Sequence, residues 1–181
     1  MVSIAERKRQ ENIAEFVLYV WQMEDLARAA QFDVEAISTL LSGDDQKSKE
    51  AETRWFRNLI AQMKDEGLEK TGHISELDEV MKELAYLHST LLTVLRDEKY
   101  IEKYAVAQPN IAAFLSKSGG EAANDVDACL TALYGLMTLR LKRMTISKET
   151  EMAVRTFSTL MAHLSSEYHK MKLGEQNSGL N

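Results

Sequence analysis

One cysteine, one proline and eight glycines are all that this 181-residue chain holds of the residues that staple, break or hinge a fold. The lone thiol, Cys129, excludes an internal disulfide framework and suits a reducing compartment. With Pro109 as the single residue lacking an amide N–H, long helices can run almost anywhere else. Aromatic residues make up only 7% and Val and Ile are sparse, whereas Ala, Leu, Glu, Lys and Met are plentiful. Unbranched side chains lose little rotamer freedom in a helix, so this mixture favours helices over strands. Long apolar runs are missing too. Arg7, Lys8 and Arg9 precede an apolar stretch, as in a signal peptide, but residues 16–21 are only six long and polar Gln22, Glu24 and Asp25 follow. A secretory core is longer and a membrane span needs about 20 apolar residues, so neither is expected. Nor is there an excess of positive charge: the net charge is -6. The basic stretch Arg140, Lys142, Arg143, Lys148 reads as cations complementing a helix C-terminus, and nucleic-acid binding, which needs a basic face, is not expected.

What is present is a succession of helix signals. Ser3-Ile4-Ala5-Glu6 reads as a capping box and opens a first helix that should reach about Ala30. Asp33 caps a short helix ending near Gly43, and a third runs from after Asp44-Asp45 to Gly67. Ser75 opens a fourth, to about Arg96. Asp97 caps a segment holding Tyr100, Ile101 and Tyr104, and Pro109 suits the first position of a further short helix, stopped by Gly119-Gly120. Helices near 122–143 and 148–171 complete the series. The expectation is an all-α, single-domain helical bundle over residues 1–173, built of five long helices plus short segments, with a disordered polar tail at 174–181.

Turning each residue through 100° shows which helices are central. On the first, Ile13, Phe16, Val17, Val20, Met23 and Ala27 share one side, yet Leu18, Tyr19 and Leu26 occupy others. The helix at 122–143 is likewise apolar nearly all round. Such helices lie innermost or line a partner interface. Three ionisable residues fall inside apolar stripes: Glu24 on the first helix, His88 on the fourth and Arg140 on the 122–143 helix. Unpaired buried charge is costly, so Glu24 is expected to be buried and ionised, and to contact His88 or Arg140. Such a set is either an internal salt-bridge network that fixes helix register or the lining of a polar ligand pocket. Trp21 flanks the Glu24 face. Asp25 lies about 100° round from it.

Recognisable catalytic patterns are absent. The chain has no GxxxxGK[ST] loop, no GxGxxG turn, no HExxH and no Glu-x-x-His pair. His73-Ile74-Ser75-Glu76 reads as a local capping arrangement, Cys129 as an inert core thiol and His163 as an exposed residue. A helix-turn-helix around Gly72 fails, because its apolar positions hold Thr71, His73 and Asp78. Glu24, His88 and Cys129 are chemically reasonable ligands, but no ligand-spacing pattern supports a metal, and no cofactor is expected.

The stretches Asn12-Ile13-Ala14-Glu15-Phe16 and Tyr19-x-Trp21-Gln22-x-Glu24-Asp25-Leu26 resemble the opening of an uncharacterised bacterial all-helical family known as a domain of unknown function. Gly72-His73, Leu87-His88, Ala132-Leu133-Tyr134-Gly135 and Ile146-Ser147-x-Glu149-Thr150 extend the likeness over nearly the whole chain. The resemblance implies a compact helical protein of the bacterial cytoplasm and carries over no catalytic or binding role. The resulting expectation is a non-enzymatic interaction or scaffolding module that forms a homo-oligomer, most simply a dimer, without membrane or nucleic acid. The alternative is a small-molecule-binding bundle, even an enzyme, with a polar core pocket around Glu24, His88 and Arg140.

Overall fold

The computed structural model describes residues 2–38 and 46–178, whose regular structure is all helical, with no strand among them. The chain opens with α1 (Ile4–Glu11), capped as the Ser3–Glu6 pattern requires: the Ser3 hydroxyl accepts from the Glu6 N–H, and the Glu6 carboxylate accepts from the Ser3 N–H. The first helix does not continue to Ala30. It breaks at Asn12, whose backbone is extended, and α2 (Ile13–Ala29) follows. Asn12 accounts for the break, because its side chain accepts from the Glu15 N–H at 3.2 Å and so starts a second helix where the first ends.

Asp33 caps α3 (Val34–Ser38) by accepting from the Glu35 and Ala36 N–H groups. The expected end of that helix near Gly43 lies outside the described residues. α4 (Gln46–Asp65) closes on Gly67, whose φ of +70° is a glycine conformation. α5 (Ser75–Thr93) and α6 (Glu98–Lys117) come next, the latter capped by Asp97, which accepts from the Tyr100 N–H at 2.7 Å. Pro109 starts no new helix. It sits inside α6, on an exposed face where Ala105, four residues back, is exposed as well. The carbonyl that proline leaves without an N–H therefore faces water, and the helix continues. That continuation makes six long helices among the described residues rather than five. α7 (Asp125–Leu141) starts on Asn124, and α8 (Lys148–Ser178) runs past Gly174, where a disordered tail was expected.

These helices form two compact units, Met1–Glu79 and Val80–Asn181. In the first, α1 packs on α2 and α4, α2 packs on α4, and α3 touches both. α2 is the central helix there: Ile13, Phe16, Val17, Val20, Trp21 and Ala27 are buried, facing Phe56, Leu59, Ile60 and Met63 of α4. Each of the larger of these side chains contributes about 2 kcal/mol on burial. In the second unit α8 packs on both α6 and α7, and α6 on α7. α7 is covered unevenly. Val126, Cys129, Leu130 and Leu136 are buried, Leu133, Met137 and Leu139 are half-buried, and Leu141 is exposed.

Candidate functional site

Glu24 is fully buried in α2, as its place in the apolar stripe requires. Its partners come from the loop before α5. One carboxylate oxygen lies 2.5 Å from His73 Nδ1, and the other accepts from the Ile74 N–H at 2.9 Å. Ile74 is the residue whose carbonyl accepts the first bond of α5, from the Leu77 N–H. The carboxylate therefore sits at the positive end of that helix, where a negative group is favoured. The Trp21 indole stacks on the His73 ring, with centroids 4.9 Å apart. Arg28, one turn beyond Glu24, ties the rest of the loop down by donating to the carbonyls of Leu68 and Gly72. Gly72 has φ of +94°, and a Cβ there would stand 2.9 Å from Leu68 Cδ2, so no other residue fits without strain. Asp25 is exposed and holds Arg28 from outside at 3.2 Å.

A second buried carboxylate escaped the sequence reading. Glu52 of α4 is 1% exposed; one oxygen accepts from the Ile4 N–H at 2.7 Å and the other from the Tyr19 hydroxyl. The Tyr19 phenol is pushed well above its ordinary pKa, by burial and then by the Glu52 hydrogen bond. Here again a carboxylate meets a helix start, that of α1. The signal was available: Glu52, Phe56 and Met63 share helical spacing, as Glu24 does with its own stripe.

The second unit buries a different chemistry. His88 Nδ1 lies 2.7 Å from the Tyr100 hydroxyl, and burial holds the imidazole below its usual pKa and so neutral near pH 7. Tyr104 packs edge-on against His88 and donates to Asp125 at 2.6 Å. Burial, reinforced by Asp125, pushes Tyr104 up to about 12. The buried Cys129 thiol is pushed to about 12 by the same two causes, the behaviour of an inert core thiol.

His163, expected to be exposed, has a side chain only 10% exposed. Its ring packs edge-on to Tyr100, and Lys103 Nζ stands 2.9 Å from Nδ1. The misreading came from assigning α8 one buried face, when it packs against two helices. Burial first, and Lys103 second, lower the His163 pKa.

Arg140 is exposed in the last turn of α7 and pairs with Glu151 at 3.5 Å. Glu24, His88 and Arg140 thus have partners other than one another, and the expected contact of Glu24 with His88 or Arg140 is replaced by the contact with His73 and Ile74.

Two hollows lie along α6 and α8. One, about 550 Å³, has Val106 and Met152 on its walls with Glu102, Lys103 and Arg155 around them. The other, about 740 Å³, shares Lys103 with the first and is edged by His163, Lys99, Lys170, Asp97 and Glu167. Among the described residues no group of three or more His, Cys, Asp or Glu is placed to hold a metal ion, and no helix is long and apolar enough to cross a membrane.

The model of a family described as Domain of unknown function (DUF4924) matches residues 2–175. The chain belongs to this family. The match runs through both compact units, so the DUF4924 unit includes both the buried carboxylates and the histidine–tyrosine cluster. No curated protein and no solved structure matches the chain.

Proposed function

We propose that this DUF4924 chain is a non-enzymatic helical interaction module of the bacterial cytoplasm that associates with a second copy of itself. The observation that carries this reading is the uncovered apolar edge of the second unit. Leu141 at the end of α7 is 64% exposed, and Met152 and Val106 are 69% and 63% exposed on the groove between α6 and α8. The Arg140–Glu151 pair draws the end of α7 to the start of α8, the helix that carries Met152. Exposed apolar clusters of this kind mark association sites. The groove also carries both signs of charge, Glu102 against Lys103 and Arg155, which lets two copies about a two-fold axis pair unlike charges reciprocally.

The alternative, a small molecule held at a polar core of Glu24, His88 and Arg140, has less support. Both Glu24 oxygens are already hydrogen-bonded, and Arg140 is exposed. Light scattering over a wide dilution range tests the reading. The expected mass at high concentration is twice the 20.5 kDa of the chain, falling to 20.5 kDa in Met152→Glu. A clean 20.5 kDa at every concentration overturns self-association. A dimer unaffected by Met152→Glu overturns the surface.

A further inference from the structure

A cleft of about 240 Å³ opens in the first unit where α1, α2, α4 and the start of α5 meet. Its deepest lining residues are apolar and buried, Phe16, Val20, Leu59 and Ile74, and the polar Glu6, Asn58 and Gln62 line it beside them. Trp55 stands at its side, half-buried. At the mouth Arg9 and Glu76 form an exposed ion pair, and the Arg9 guanidinium lies 5.1 Å above the Phe16 ring centroid. We propose that this cleft binds a small aromatic amino acid, its ring on the apolar floor and its zwitterionic head between Arg9 and Glu76. The inference goes beyond self-association and concerns a different unit.

Three observations lead to it. The walls of the cleft are held by the two buried carboxylates. Glu52 fixes the start of α1, which carries Arg9, while Glu24 fixes Ile74 in the floor, two residues before Glu76. Withdrawing two carboxylates from water to hold two sides of one hollow is the arrangement of a preorganised site, with its supporting hydrogen bonds one layer behind the contact surface.

Size is the second observation. At about 240 Å³ the open cleft has room for one ring with a short head and little more. Walls that include Trp55 and Phe16 favour an aromatic body over an aliphatic one.

The third is charge. An exposed ion pair contributes little stability and opens readily. A head bearing both signs replaces each half of it: the ligand carboxylate accepts from Arg9, and the ligand ammonium donates to Glu76. A carboxylate alone would leave Glu76 repelling it, and an amine alone would leave Arg9 opposed.

Calorimetric titration of the full chain with phenylalanine and tryptophan is the test, alongside phenethylamine, 3-phenylpropionate and leucine. Saturable binding of an aromatic amino acid is expected, with each of the three comparison compounds at least tenfold weaker. Arg9→Ala and Glu76→Ala, both at exposed positions, should each weaken binding at least tenfold while leaving the melting curve in place. Met152→Glu should leave binding unchanged, which separates this site from the self-association surface. Phenylalanine should also alter Trp55 fluorescence in the chain. The proposal is overturned if no aromatic amino acid binds saturably, if the amine, the acid or leucine binds as tightly, or if Arg9→Ala binds like the unaltered chain.

Discussion

The two compact units bury polar groups of opposite kinds. In the first, two carboxylates withdrawn from water each accept a backbone N–H at the start of a helix, Glu24 at α5 and Glu52 at α1. In the second, the cluster of His88, Tyr100, Tyr104 and Cys129 is an imidazole, two phenols and a thiol, buried or half-buried and all held neutral by burial. A carboxylate is tolerable deep inside a small helical unit where a helix terminus supplies fixed positive potential; the second cluster reaches one too, Asp125 in the first turn of α7, but that side chain is only half-buried. The buried polar contribution in the first unit therefore rests on two residues, and in the second it is spread over a network.

The sharpest way to break this contrast is Glu24→Ala, which leaves the Ile74 N–H and His73 without their buried acceptor. The expected cost is about 3–5 kcal/mol, the range for breaking a buried pair, and Glu24→Gln should cost less because hydrogen bonding survives. Trp21 and Trp55 both lie in the first unit, so urea melts followed by tryptophan fluorescence read that unit selectively. A loss within about 0.5 kcal/mol, the range of ordinary surface changes, would contradict the assignment.

Glu52→Ala should cost about 3 kcal/mol, since two donors lose a charged partner. Hydrogen exchange at the Ile4 amide should accelerate with it. Protection retained at Ile4 would show that α1 is held by something other than this carboxylate.

In the second unit Tyr100→Phe removes a single hydrogen bond, to His88, and should cost only about 1 kcal/mol by chemical denaturation. A loss as large as that of Glu24→Ala would mean the network is not distributed. The same unit should respond to acid. His88 and His163 both have folded pKa values below the ordinary histidine value of about 6.5, so the unfolded chain binds more protons between the two. Their contribution is fully present above the unfolded pKa and is lost as pH falls toward the folded one. Thermal melts followed by circular dichroism should thus move down between pH 7 and 5, and less so in His88→Gln. Stability that rises on acidification, or a shift unchanged in His88→Gln, would refute this. The smallest effect belongs to Arg140→Ala: an exposed pair with Glu151 is worth under about 1 kcal/mol, and a melt shift beyond that would restore a core role to Arg140.

How far the sequence foretold these two designs differs by residue. Helical periodicity located Glu24 because a carboxylate inside an apolar stripe has few places to go, and the same logic, not followed on α4, would have located Glu52. Periodicity could not supply their partners. His73 lies 49 residues from Glu24 in a loop, and loops carry no period. Asn12 could be read as one more polar residue of a long helix or as a cap, and its side chain decided for the cap. Pro109 reads as a helix start until the exposure of the preceding turn is known. Arg140 fell in a stripe that is apolar along its whole length, but the last turn of α7 leaves Leu141 exposed, so membership of the stripe no longer meant burial.

Cys129 gives the second unit a counterpart to the two tryptophans of the first. It is the only thiol in the chain, it is fully buried, and burial keeps it protonated, so an alkylating reagent has neither access nor a thiolate while that unit is closed. Labelling must wait for an opening event. Under conditions where reclosing is fast, its rate reports the population of the open form. A mass spectrum taken along the reaction would count opened molecules one by one, without any engineered probe.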